Sequence, residues 1–228
     1  MTVTNSTEQE IQAIKNTLSH PRIATYERAV TSQSSQSDRK LPLQLYMWNA
    51  QLSGAFLVPL HICEVIIRNA IAQTIKRKYG PHWPCSPAFL KSLPSPRNTY
   101  NPLHDLKNTT STVQVADMVV PKLSFVFWQH MFTKRHHSRL WELYLKDTMP
   151  YLDKSKTPNI HRQNIYKNLG LVRTLRNRIA HHEPIFTRDL NADMERILGL
   201  ISCRCQTTSN WVLQHQKVYQ TLKNRPTY

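Results

Sequence analysis

The chain has 228 residues, 40% of them hydrophobic, with 14 prolines against 4 glycines. At about 150 residues per domain this supports one large or two small globular domains, and it is too apolar and too free of repeats for a disordered or collagen-like chain. Thirty Lys and Arg against 14 Asp and Glu give a formal charge of +16, which attracts polyanions and makes nucleic acid the first expected partner.

The scarcity of glycine argues against a turn-rich β-sandwich and against a glycine loop around phosphates. Cys63, Cys85, Cys203 and Cys205 are too few and too irregularly spaced for a disulfide framework. Met1 to Glu10 has no apolar signal core, so a reduced, cytoplasmic protein is expected. The most apolar window, Gly54 to Ala72, is broken by Pro59, His61, Glu64 and Arg68, and no membrane span is expected there.

The N-terminal region, 1–40, reads as helices followed by a polar connector, and 41–228 as the main helical domain. Thr7 to Glu10 has the pattern of a capping box ahead of Ile11, Ile14 and Leu18, a helix that His20-Pro21 ends. Ile23, Tyr26 and Val30 mark a short amphipathic piece, and the polar run from Thr31 to Lys40 a solvated connector. Pro42 suits a first helical turn; Trp48, Leu52 and Phe56 recur at fourfold spacing until Pro59 interrupts them. A further helix then runs to Lys76, Arg77 and Lys78, with Gly80 and Pro81 as the stop.

Prolines at 84, 87, 94, 96 and 102 predict an irregular insertion over about 80–110. Helical spacing returns in Thr112 to Val120, Ser124 to Phe132 and Ser138 to Lys146. The next helix starts after Pro158, carries Ile165, Leu169, Val172, Leu175 and Ile179 on its apolar face, and ends at Pro184. Two more, about Leu190 to Cys203 and Ser209 to Lys223, close an all-α chain without an alternating strand pattern.

The segment from Leu175 to Pro184 reads Leu-Arg-Asn-Arg-Ile-Ala-His-His-Glu-Pro. On a helix Asn177 stacks with His181 and Arg178 with His182, four residues apart, while Leu175 and Ile179 turn to the core. Near a helix C-terminus the dipole favours an imidazolium, which suits a proton donor and acceptor. If Arg176 holds a phosphate oxygen and His181 transfers a proton, the 2′-hydroxyl of RNA attacks its own phosphorus, with no metal or other cofactor in the scheme.

Arg176-Asn177, three residues, then His181 resembles the motif of HEPN-domain ribonucleases: arginine, four to six residues, histidine. With the blocks Leu60 to Ala72 and Leu123 to Trp128, the chain is similar to the Abi (abortive infection) branch of that superfamily, of the AbiD and AbiF kind. Val126 departs from it, standing where that branch is expected to have glycine. The resemblance covers about residues 40–200.

It implies a HEPN-like bundle and an endoribonuclease that leaves 2′,3′-cyclic phosphate ends, acting as a toxin or abortive-infection antiphage effector. Arg176, Asn177 and His181 would be catalytic, Asn177 orienting His181. His182, Glu183, Glu64, Arg68 and Asn69 would be accessory. HEPN units pair to build one composite site, so a chain with one motif implies a homodimer; an antitoxin or non-coding RNA is a further implied partner. A catalytically silent RNA-binding protein is the alternative.

Blander readings stand beside these. Arg176 and His181 also suit a helix end where they satisfy carbonyls, and Glu64 with Arg68 an ordinary ion pair. Lys134, Arg135, His136, His137 and Arg139 form a basic turn fit for RNA phosphates or simply for solvent, and Arg178 joins them as an RNA-binding candidate. Arg97-Asn98 to His104 repeats the spacing, but the prolines at 94, 96 and 102 exclude one helix. No metal site is expected: Cys203 and Cys205 lack a second pair, and adjacent His181 and His182 do not face one ion. Asp189, Asp193 and Glu195 fit the first turns of a helix. Trp48, Phe56, Phe125, Trp128, Trp141 and Trp211 read as core.

Overall fold

A computed structural model describes residues 2–31 and 39–227, with side chains from residue 8. The protein is all-α: 76% helical, about 12 helices, and no strand among the described residues. α1 (Thr2–Leu18) and α2 (His20–Thr31) meet at Ser19, whose φ of 75° makes the elbow. Pro21 sits in the first turn of α2, where its missing N–H costs nothing. The Thr7 capping box is corrected, because α1 already runs through that position. The predicted face Ile23, Tyr26 and Val30 is buried; the predicted polar connector, apart from Thr31, Arg39 and Lys40, lies outside the described residues.

α3 (Leu41–Tyr79) is one helix of 39 residues, not two. Pro59 leaves the Ala55 carbonyl without its helical donor, a loss of about 3 kcal/mol or more in isolation. The helix continues because a buried stripe runs through the break: Leu45, Leu52, Phe56, Cys63, Ile67, Ile71 and Ile75 are all fully buried. By length and composition alone α3 is long and apolar enough to cross a membrane. It packs chiefly against α2, α10 (Leu190–Arg204) and α12 (Val218–Lys223). Lys76, Arg77 and Lys78 close it and Gly80, at φ 86°, ends it as predicted.

The insertion is more ordered than expected. Pro84, Pro87 and Pro102 begin elements instead of preventing them: a 3₁₀ turn Trp83–Cys85, α4 (Pro87–Ser92) and α5 (Pro102–Thr112). A proline's fixed φ suits a first turn. The longest irregular stretch is 93–101; it holds Arg97, while His104 lies in α5. Trp83 anchors the insertion, edge-on to Phe89 at 5.3 Å and to Trp128 at 6.4 Å.

α6 (Ala116–Val119) is short, and α7 (Phe125–His130) is capped by Ser124. A π-helical segment, His137–Trp141, leads into α8 (Glu142–Thr148). α9 (Pro158–Ala180) starts at the Thr157 cap and buries its predicted face, Ile165, Leu169, Val172, Leu175 and Ile179. Gly170 leaves room for the Gln129 side chain of α7, since a Cβ there would lie 2.9 Å from its amide nitrogen. The predicted last helix is two, α11 (Gln206–His215) and α12, with a break at Gln216 and Lys217. The predicted aromatic core holds except for Trp211, which is 51% exposed.

Candidate active site

α9 ends in a Schellman turn. His181 is the cap residue, and its N–H donates to the Asn177 carbonyl at 2.9 Å. His182 then takes φ 56°, its N–H donating to the Ile179 carbonyl at 3.0 Å and that of Glu183 to the Arg178 carbonyl at 2.8 Å. Glycine is usual at this left-handed position because a side chain there costs about 1 kcal/mol or more. The structure around it holds the strained histidine in place. Asn49, buried in α3, accepts the N–H groups of Ile185 and Phe186 at 2.8 and 3.2 Å. Arg178 Nε reaches the Glu183 carboxylate at 3.2 Å, and Arg22 Nη1 donates to the His182 carbonyl at 2.8 Å.

The turn displays the motif to solvent. Arg176, His181, His182 and Glu183 are exposed, and Asn177 is half-buried. Arg176 Nη1 donates to Asn177 Oδ1 at 3.4 Å. Asn177 therefore meets Arg176 through its side chain and His181 through its carbonyl, rather than orienting the imidazole through its amide. His182 lies beyond the end of α9, in the left-handed turn, so the helical four-residue spacing to Arg178 does not apply to it. An apolar cavity of about 400 Å³ borders the site, lined by Tyr46, Ala50, Gly54 and Leu57 of α3 and by Ile179 and His182.

The other predicted residues lie elsewhere. Arg68 and Asn69 line a separate cavity of about 410 Å³ with Gln73, Lys76 and Trp83, and no motif residue takes part in it. Eleven residues of α3, about 16 Å of rise, separate Arg68 from Leu57 beside the motif. Glu64 is half-buried next to Cys63, and no ion pair joins it to Arg68 among the described residues.

In the basic turn Lys134, Arg135 and Arg139 are exposed and His137 is half-buried. His136 is corrected: it is only 1% exposed, and burial, helped by Arg135, Arg139 and His130, pushes its pKa down to about 4. A neutral, enclosed imidazole does not grip phosphate. Arg135 Nε donates to the Ser92 carbonyl at 2.6 Å, tying the turn to α4.

Asp189 caps α10 through the Ala192 N–H at 3.0 Å. Asp193 is 2% exposed and receives Arg188 at 2.7 and 2.8 Å and Arg196 at 3.0 Å, an internal ion network that the dipole reading missed. No group of three or more His, Cys, Asp or Glu suited to a metal ion occurs among the described residues.

Two residues at the turn escaped sequence reasoning. Asn49 had a signal, an amide on the apolar stripe of a long helix that needs a buried partner. Arg22 had none, since its contact spans 160 residues of chain. Set against family models, curated proteins and solved structures, the chain matches none.

Proposed function

We propose that the protein is a metal-independent endoribonuclease of the HEPN type, working in the cytoplasm as a toxin or abortive-infection effector against phage. The observation that carries this reading is the braced left-handed turn at His182, which ends α9 with Arg176 and His181 exposed and with Asn177 contacting Arg176. Backbone strain kept in place by its surroundings is a mark of functional sites.

In the proposed reaction His181 takes the proton of the 2′-hydroxyl and the 2′-oxygen bonds to phosphorus. The 5′-oxygen bond breaks, and the leaving oxygen receives a proton from a second imidazole. Arg176 stabilises the charge on the non-bridging oxygens. The products are a 2′,3′-cyclic phosphate and a 5′-hydroxyl.

The second imidazole is assigned to a second copy of the chain. Met47, Leu57 and Val58 of α3 are each more than half exposed; Met47 and Val58 share a face, and Leu57 flanks it beside the cavity that reaches His182. A homodimer through this face brings two motifs together. An antitoxin protein or non-coding RNA restraining the activity belongs to the same proposal.

The test is RNA cleavage in EDTA with end analysis of the products. Cyclic phosphate ends from the wild type, lost in Arg176→Ala and His181→Ala, are expected. An inactive wild type, or variants that cut equally well, would overturn the reading. The contact of Asn177 Oδ1 with Arg176 in place of His181 favours one alternative, a catalytically silent RNA binder, which predicts salt-sensitive affinity without turnover.

A further inference from the structure

The elbow between α1 and α2 and the turn after α9 enclose a cleft of about 380 Å³, with Ser19, Arg22 and Tyr26 on one wall and His181, His182 and Glu183 on the other. Its only carboxylate among the described residues, Glu183, is already engaged by Arg178. Arg22 has no carboxylate partner among the described residues. Among the described residues its one hydrogen bond runs from Nη1 to a neutral acceptor, the His182 carbonyl at 2.8 Å. Such a bond orients a guanidinium without cancelling its charge, and the remaining N–H groups of this exposed side chain are left for a ligand.

The wall that carries Arg22 is firmly seated. Ile23 and Tyr26 are buried, and the Tyr26 ring packs on Phe186, next to the turn, at 5.2 Å between centroids. A guanidinium without a carboxylate partner, held by the His182 carbonyl in a cleft that His181 and His182 also line, is a site for an anion.

We propose that Arg22 is a second phosphate-binding residue of the site. Resting on the ribonuclease reading, it takes the RNA phosphate next to the scissile one, which falls to Arg176. The α1–α2 pair is thereby one wall of the substrate cleft and not an appendage.

The test compares wild type, Arg22→Gln and Arg22→Lys for binding of a labelled, non-cleavable 2′-deoxy oligonucleotide over a range of salt concentrations, with thermal melts alongside. Gln keeps an N–H donor for the turn but loses the charge; Lys keeps both. Arg22→Gln should weaken binding about tenfold at low salt and flatten the salt slope by about 0.7. Arg22→Lys should keep most of the affinity. On cleavable RNA, Arg22→Gln should raise KM by a similar factor with little change in kcat.

Wild-type affinity and slope in Arg22→Gln, or equal losses in Gln and Lys, would overturn the proposal and leave Arg22 as a brace of the turn. The two readings fail separately. No cleavage by the wild type, with the binding differences intact, removes the ribonuclease and keeps the phosphate contact. Cleavage with unchanged binding in Arg22→Gln does the reverse.

Discussion

Two arginine-rich clusters, one at each side of the 181–189 connection, are built on opposite plans. At the start of α10, Asp193 is 2% exposed and accepts three hydrogen bonds from Arg188 and Arg196, so one buried carboxylate is shared by two guanidinium groups. At the end of α9, Arg176 faces solvent with a single 3.4 Å contact to a neutral amide, and Arg22 faces it with a single carbonyl. A closed network holds the fold together; an open one leaves charge and donors for a ligand. Spacing along the chain does not separate the two, because both are helix-terminal clusters of polar residues.

Breaking each cluster should therefore damage a different property. Arg176→Ala should lower RNA cleavage by about 10²–10³ in kcat, the range of a lost charge-stabilising donor, and His181→Ala by about 10²–10⁴, that of a lost general acid–base group, both with an unchanged melting temperature. Asp193→Ala should do the opposite: about 3 kcal/mol of stability lost, because two guanidinium groups lose their buried partner. Denaturant melts check the loss, and the activity per folded molecule should stay near that of wild type.

His136 sharpens the contrast between buried and open charge. Its folded pKa, about 4, lies below its ordinary value of 6.5, so the unfolded chain binds the proton first. Its contribution is fully present above pH 6.5 and is lost as the pH falls from 6.5 towards 4, by up to about 3 kcal/mol. Stability measured against pH should show this acid limb, and His136→Leu should flatten it.

The smallest effect expected is at the turn itself. His182→Gly removes the penalty of a side chain at φ 56° and should raise stability by about 1 kcal/mol. Urea midpoints at equal slope would measure it, and a decrease would show that the His182 ring makes contacts worth more than the strain.

Much of the helical layout was legible because it is local. The 3.6-residue spacing from Ile165 to Ile179 marks the buried face of α9, and Gly80 and Pro158 mark ends where backbone groups lose their helical partners. The motif was legible for the same reason, since Arg176, Asn177 and His181 lie within two turns of one helix. Proline misled twice. Pro59 stands inside α3 because core packing outweighs one missing hydrogen bond, and Pro87 and Pro102 start helices because their φ fits a first turn.

By itself, then, the sequence determined an all-α chain, its basic surface charge, and the order Arg176, Asn177, His181 near the end of α9, all properties set by composition or by neighbours a few residues apart. Tertiary structure alone decided that His136 is enclosed, that Arg68 and Asn69 line a cavity of their own, and that Asn49 and Arg22 brace the turn at His182. Each of these depends on which distant segments meet, and burial, pKa and backbone strain follow from that meeting.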